Sequence, residues 1–275
     1  MQITIFAEIL KSLRKIFAFL FILYFAANTE AQVNPNEDPV STFIPSFAYA
    51  FQLPGGDVAN SYGYNSTIGG GFMYKTKKNL LFSLDVNFIF GNQVKNADTI
   101  LWMIRNSDGA IIDANGIYPE YAIFERGYSL NFRVGKIFKL LQANPNSGLM
   151  LMGGVGYLTH RMLIDIQGET VPQLKDDYGK GYDRLTGGFT FNEFIGYFYM
   201  GRTRILNFYA GFEFYQAFTK NLRDRNFDQV IYDNTTNTYK VVGKDNNNYL
   251  DLFFGIKVGW MIPVYKRSPD TYYYE

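Results

Sequence analysis

Tyr249-Leu250-Asp251-Leu252-Phe253-Phe254-Gly255-Ile256-Lys257-Val258-Gly259-Trp260-Met261-Ile262 is the stretch that decides the fold of this chain. Leu250, Leu252, Phe254, Ile256, Val258, Trp260 and Ile262 share one face at a period of two. Asp251, Phe253, Gly255, Lys257, Gly259 and Met261 share the other. Period two belongs to a β-strand, whose successive side chains point to opposite sides. Seven consecutive apolar positions on one face outrun the roughly 5 to 6 residues of an ordinary strand in a soluble sandwich and suffice to cross a bilayer when tilted.

The same alternation recurs seven more times. Phe82, Leu84, Val86, Phe88 and Phe90 alternate with Ser83, Asp85, Asn87 and Ile89. Tyr128, Leu130, Phe132 and Val134 alternate with Ser129, Asn131, Arg133 and Gly135. Leu206, Phe208, Ala210, Phe212, Phe214 and Phe218 alternate with Asn207, Tyr209, Gly211, Glu213 and Tyr215. Weaker strands are expected over Phe43–Leu53, Tyr64–Tyr74, Leu149–Arg161 and Phe189–Met200. The phase of the last is ambiguous around Glu193, which points to a β-bulge there. The connections alternate in length. Lys75–Asn79, Lys139–Gly148 and Gly201–Arg204 are short, whereas Pro54–Gly63, Gly91–Tyr121, Met162–Gly187 and Lys220–Asn248 are long or polar. Short turns on one side and long loops on the other are the outer-membrane pattern. The expected fold is therefore all-β, an eight-stranded antiparallel transmembrane up-and-down barrel, with both termini on the short-turn, periplasmic side.

The N-terminus reads differently. Lys11, Arg14 and Lys15 precede an apolar run from Ile16 to Ala27, and a small-residue stretch ends at Ala31. This is the pattern of a secretory signal peptide over residues 1–31. The run is too short for a helical span, which needs roughly 20 residues, although an uncleaved anchor is the alternative. No cysteine follows it, so lipoprotein anchoring is excluded. The expected organisation is then a periplasmic segment over 32–42, the barrel over 43–262 and a periplasmic tyrosine-rich tail over 263–275.

Composition agrees with a barrel wall. Loss of Lys11, Arg14, Lys15, Glu8 and Glu30 from 26 basic and 25 acidic residues leaves 23 of each sign. A neutral mature chain gives no electrostatic reason to expect nucleic acid as a partner. Zero cysteines exclude a disulfide scaffold. Aromatics at 18% and 26 glycines are high for a soluble enzyme, and a mean hydropathy of -0.12 is far below that of a helical membrane protein.

Gly69-Gly70-Gly71-Phe72 and Phe253-Phe254-Gly255-Ile256-Lys257-Val258-Gly259-Trp260 carry a glycine- and aromatic-rich alternation. Over about Phe43–Ile262 the chain resembles the OmpA-like small outer-membrane barrels of the Bacteroidota type. The resemblance implies the fold and the cell outer membrane, with outer-membrane lipid around the wall, and no particular activity. Many such barrels end on an aromatic strand residue, whereas this chain continues through Pro263–Glu275, past Trp260, with Tyr272, Tyr273 and Tyr274.

Residues able to carry chemistry are few. An eight-stranded barrel holds side chains and little else. The inward set includes Asp85, Glu213, Asp251, Arg133 and Lys257, and buried charges must pair. The expectation is one ion-pair network, Arg133 and Lys257 against the three carboxylates. His160, the single histidine, falls near the outer end of its strand and reads as a hydrogen-bonded rim residue. A general base there would draw on Asp165, Asp176 or Asp177, yet no spaced nucleophile motif accompanies it. Asp176-Asp177 and the Asp224–Asp233 run lack calcium-loop spacing, and no metal or cofactor is implied. Tyr62, Tyr64, Tyr74, Tyr128, Tyr157, Tyr197, Tyr199 and Trp260 read as interface aromatics. Lys136 and Arg202 near the short turns read as snorkelling cations.

These readings point to a non-enzymatic outer-membrane barrel acting as a structural or accessory component. Its protein partners would be met through the outer loops or the periplasmic tail. Secretion or assembly machinery, such as type IX secretion, is the suggestion by analogy. The alternatives are a lipid-modifying enzyme or protease using His160, and a small passive channel. The long loops also leave ligand or host-surface binding open.

Overall fold

The computed structural model describes residues 38–95, 97–167, 171–201, 205–227, 230–241 and 243–264. The expected signal peptide, most of the N-terminal segment, Arg202 and nearly all of the tyrosine-rich tail lie outside them. Each alternating segment forms one strand: β1 (Thr42–Gly56), β2 (Asn65–Lys75), β3 (Leu80–Gly91), β4 (Tyr121–Phe138), β5 (Gly148–Ile166), β6 (Thr186–Met200) and β7 (Asn207–Asn221). A two-stranded hairpin, β8 (Val230–Asp233) with β9 (Thr238–Val241), occupies the last long connection, and β10 (Asn248–Met261) completes the wall.

Eight of these strands close into an antiparallel ring in the order β1-β10-β7-β6-β5-β4-β3-β2. Closure pairs the first strand with the last, Ser46 opposite Met261 through Gly56 opposite Asp251, so no edge is left open. The β2–β3, β4–β5 and β6–β7 junctions lie at one end of the barrel, and the β1–β2, β3–β4, β5–β6 and β7–β10 junctions at the other. Beyond β10 the chain stays with the barrel, since Val264 N donates to Phe43 O at 2.9 Å.

Two expectations need correction. β6 pairs without interruption, Gly153 opposite Glu193 on one side and Phe214 opposite Glu193 on the other, so there is no bulge. The phase was ambiguous because Glu193 takes a place in the outward file, among Phe191 and Ile195. The strands are also longer than their apolar alternation. β4 begins at Tyr121 and β5 runs to Ile166, Arg126 standing opposite Arg161. The hydrogen-bonded ladder needs no apolar side chains, so it continues where the apolar signal stops.

The outer wall is apolar on every side. Phe47, Ile68 and Phe212 are 60%, 57% and 65% exposed. Val86, Phe132, Val155, Phe191 and Ile256 are likewise exposed. Soluble monomers rarely expose an apolar patch beyond a few hundred Å², so this belt is a lipid-facing surface. Inside, buried residues separate into layers. At the long-loop end an apolar cap joins strand residues Ile89, Ile123, Leu158 and Phe253 to loop residues Val58, Ile100, Leu101, Ile111 and Val171. At the short-turn end Lys75 is fully buried, its Nζ donating to Asn146 Oδ1 at 2.7 Å and Val40 O at 3.1 Å.

One glycine sets the lower packing. A Cβ on Gly259 would stand 2.2 Å from the ring of Tyr209, its ladder partner. That ring is 5% exposed and packs edge-on against Phe194 at 5.6 Å. Gly259→Val is expected to destabilise the barrel by about 1–3 kcal/mol through overpacking, read from its urea midpoint in phospholipid vesicles. In a Tyr209→Ala background, where the ring is gone, the same change should cost little or nothing; a single variant with an unchanged midpoint would sink the argument.

Candidate functional site

The lumen brings Asp85, Arg133, Glu213 and Lys257 together from β3, β4, β7 and β10. Arg133 is the hub. Its Nη1 donates to Asp85 Oδ2 at 2.8 Å, its Nε to Asn192 Oδ1 at 2.6 Å and its Nη2 to Tyr215 OH at 2.6 Å. Glu213 Oε2 is 3.7 Å from Arg133 Nη2. Glu213 Oε1 accepts from Gln52 Nε2 at 2.7 Å. Lys257 Nζ stands 3.3 Å from Glu213 Oε2 and forms an ion pair with it. Two cations against two carboxylates balance this layer, as buried charges require.

Asp251 is not part of that layer, a correction to the single network expected from sequence. Lys257 is six positions further along β10, and the fully buried Phe253 lies between. At about 3.3 Å per residue the two side chains are roughly 20 Å apart along the strand. Asp251 instead meets the histidine. His160 Nε2 is 3.1 Å from Asp251 Oδ2, and Thr219 Oγ1 donates to the same oxygen at 2.5 Å. A carboxylate only accepts, so the His160 proton facing it sits on Nε2.

His160 is therefore no rim residue. It is 4% exposed and points inward, because position 160 shares the inward phase of Leu158 and Met162. Asp165, Asp176 and Asp177, the neighbours expected from sequence, are not its partners. Tyr62 is displaced from expectation in the same way. It is 2% exposed, with its ring edge-on to His160 at 5.5 Å, and is not an interface anchor. Burial pushes the Tyr62 hydroxyl well above its usual value, and the Glu125 carboxylate adds to this. Asn65 Nδ2 donates to the buried Glu125 at 3.0 Å beside this group. A cavity of about 220 Å³ lies over it, with Tyr62, His160, Arg184, Asp245, Tyr249 and Asp251 in its lining.

A histidine–carboxylate pair is half of a general-base device. The other half, a nucleophile within about 2.6–3.2 Å of the base, is not found among the described residues. Thr219 gives its proton to Asp251, and His160 Nδ1 has no hydrogen-bond partner. The arrangement ties β5, β7 and β10 together beneath the apolar cap. Above it, Asp183 accepts from Arg223 Nε at 2.8 Å, a hydrogen bond that raises the Arg223 pKa, and stands 3.7 Å from Arg161. Asp177 pairs with Lys180, and Asp224 with Lys244 at 3.2 Å.

Of the remaining aromatics, Tyr64, Tyr74, Tyr128, Tyr157 and Trp260 face outward and are exposed. Trp260 Nε1 donates to Ile205 O at 2.6 Å, and Tyr197 OH to Leu141 O at 2.9 Å. Lys136 is outward, its Nζ 5.8 Å from the Phe138 ring centre. Sequence reasoning did not single out Gln52, Asn192 and Tyr215 as network members. Their inward phase was the signal available.

No protein-family model matches the chain, and no curated protein matches it either. Solved structures do resemble it. The Neisserial surface protein A structure is 11% identical, covering 80% of this chain and 96% of that one, at a TM-score of 0.40. Ail, the attachment invasion locus protein of Yersinia pestis, is 9% identical over 81% and 99%, at 0.35. The N-terminal β-barrel domain of Pseudomonas aeruginosa OprF is 10% identical over 81% and 100%, at 0.33. These likenesses carry no functional argument, and the fold rests on its own ladder.

Proposed function

We propose that the chain is an integral outer-membrane barrel with a plugged lumen, serving as a non-enzymatic structural or accessory subunit of an outer-membrane protein complex. The observation that carries this reading is the filled interior. The Arg133 layer occupies the lumen, and the apolar cap closes its long-loop end. A barrel so filled has a wall, loops and termini left with which to work. In this reading the short turns and both termini face the periplasm and the long loops face outward. Secretion or assembly machinery, the type IX kind included, is the class of complex proposed by analogy with the OmpA-like small barrels of the Bacteroidota type that the sequence resembles.

The test is a gentle-detergent pulldown from outer membranes, comparing the full chain with one ending after Val264. That truncation keeps the Val264–Phe43 bridge. Stable partners lost with the tail are the expected result, and a solitary monomer in both cases would overturn the reading. Planar-bilayer recordings should show no stepwise conductance, and steady openings would favour a channel. Among the described residues, the His160–Asp251 pair is the feature that favours an enzyme. His160→Ala with an unchanged lipid profile and protease activity would remove that alternative.

A further inference from the structure

The outward file of β6 runs Phe189, Phe191, Glu193, Ile195, Tyr197 and Tyr199. Glu193 is exposed and lies four residues from Phe189 and four from Tyr197. With about 3.3 Å per residue and a tilt near 40°, it sits about 10 Å in depth from either. A carboxylate is thus held in the middle of the lipid-facing belt. None of the described residues is hydrogen-bonded or ion-paired to it. Ionisable groups at that depth are costly in lipid and mark functional sites.

The surroundings make a receptacle. Gly153 stands opposite Glu193 on β5, and a Cβ there would meet open space. The resulting groove of about 430 Å³ crosses four strands, with Leu151, Gly153, Ile195, Phe212 and Phe254 around Glu193. Gln216, outward on β7 opposite Phe191, adds an amide one step away.

We propose that this groove docks a membrane-spanning segment of a partner protein that carries a lysine or arginine at mid-bilayer depth. The inference rests on the complex-subunit reading above and names its docking face. Charge complementarity selects the occupant. A second copy would bring a second carboxylate and has no cation at that level. Among the described strand residues, outward Arg126, Arg161 and Lys220 lie toward the long-loop end, and Lys136 lies two residues from the short-turn end of β4. A lipid acyl chain fills an apolar groove but leaves the carboxylate unpaired.

The experiment places a photo-crosslinking benzoylphenylalanine at Phe212, in the groove, or at Val86, on β3 away from it, in the full chain in cells. The Phe212 position should capture a spanning segment bearing Lys or Arg, and Val86 should not. Glu193→Leu suits a lipid-facing site and should keep the heat-modifiable mobility of a folded barrel. It should nevertheless cut the cross-link and the co-purified partner by about tenfold or more, the effect of stranding a buried cation. Gly153→Leu, which fills the notch, should do the same. Glu193→Lys should be rescued by changing the partner's basic residue to Glu. Capture of a second copy, of lipid alone or of a segment without a basic residue would overturn the proposal. Partners that co-purify equally with Glu193→Leu would overturn the docking face while the complex reading stands. No partner with the unaltered chain would overturn both.

Discussion

Arg133→Met is expected to destabilise the barrel by about 3–5 kcal/mol, the usual cost of removing one partner from a buried ion pair. The guanidinium donates to Asp85, Asn192 and Tyr215 at 2.6 to 2.8 Å and faces Glu213 at 3.7 Å. Methionine keeps much of the volume and none of the donors. Asp85, 5% exposed, is left without its cation, and two neutral acceptors lose their partner as well. Glu213 keeps Lys257 and Gln52, so the damage should centre on the β3–β4 side. Urea unfolding in phospholipid vesicles, followed through the emission of Trp102 and Trp260, would measure it. A loss below about 1 kcal/mol, the level of an exposed ion pair, would mean that water reaches this layer. Exchanging Asp85, Arg133, Glu213 and Lys257 together for apolar residues of similar volume should cost far less than Arg133→Met alone, since well-packed apolar replacements of buried ion pairs are often neutral.

The wall was legible because two solvents impose period two on it. Every outward position from Leu250 to Trp260 must suit lipid and every inward one the lumen, so the face of each residue follows from phase alone. Where that pressure ends, so does the signal. The outer end of β5, Met162–Ile166, pairs with Tyr121–Glu125 beyond the clear alternation and reads as loop. The apolar cap was hidden for another reason. Val58, Ile100, Leu101, Ile111 and Val171 come from three different connections, and no local period marks residues that meet only after the chain returns. Tyr62 illustrates the limit, because a tyrosine beside a strand end suits an interface belt and a buried cap equally well. Glu193 shows the reverse case. The outward phase at Phe191 and Ile195 was plain, and a carboxylate between them looked like a register fault when it was a residue in its ordinary place. Phase also shows which residues share the lumen but not their height within it, which is why Asp251 was grouped with Arg133.

That difference in height sets the second expected result, a contrast between two double-mutant cycles. Arg133→Met with Asp251→Asn should be additive within about 0.5 kcal/mol, as for sites beyond 7–10 Å with no shared partner. Phe253 lies between the two layers, and its ring packs edge-on against His160 at 6.5 Å. Arg133→Met with Glu213→Gln should be coupled by about 1–3 kcal/mol, because the second change relieves a carboxylate that the first left with less positive charge nearby. Asp251→Asn alone should cost about 1–3 kcal/mol. It removes the charge facing His160 Nε2 and Thr219 Oγ1, which meet the same carboxylate oxygen, and leaves at best a neutral amide oxygen for both. All of these values come from the same urea midpoints. Strong coupling between Arg133 and Asp251 would mean that charge is shared across the Phe253 layer, as a proton path through the barrel requires, and would reopen the channel reading. Additivity means two separate braces, one around Arg133 at mid-wall and one at His160 beneath the apolar cap.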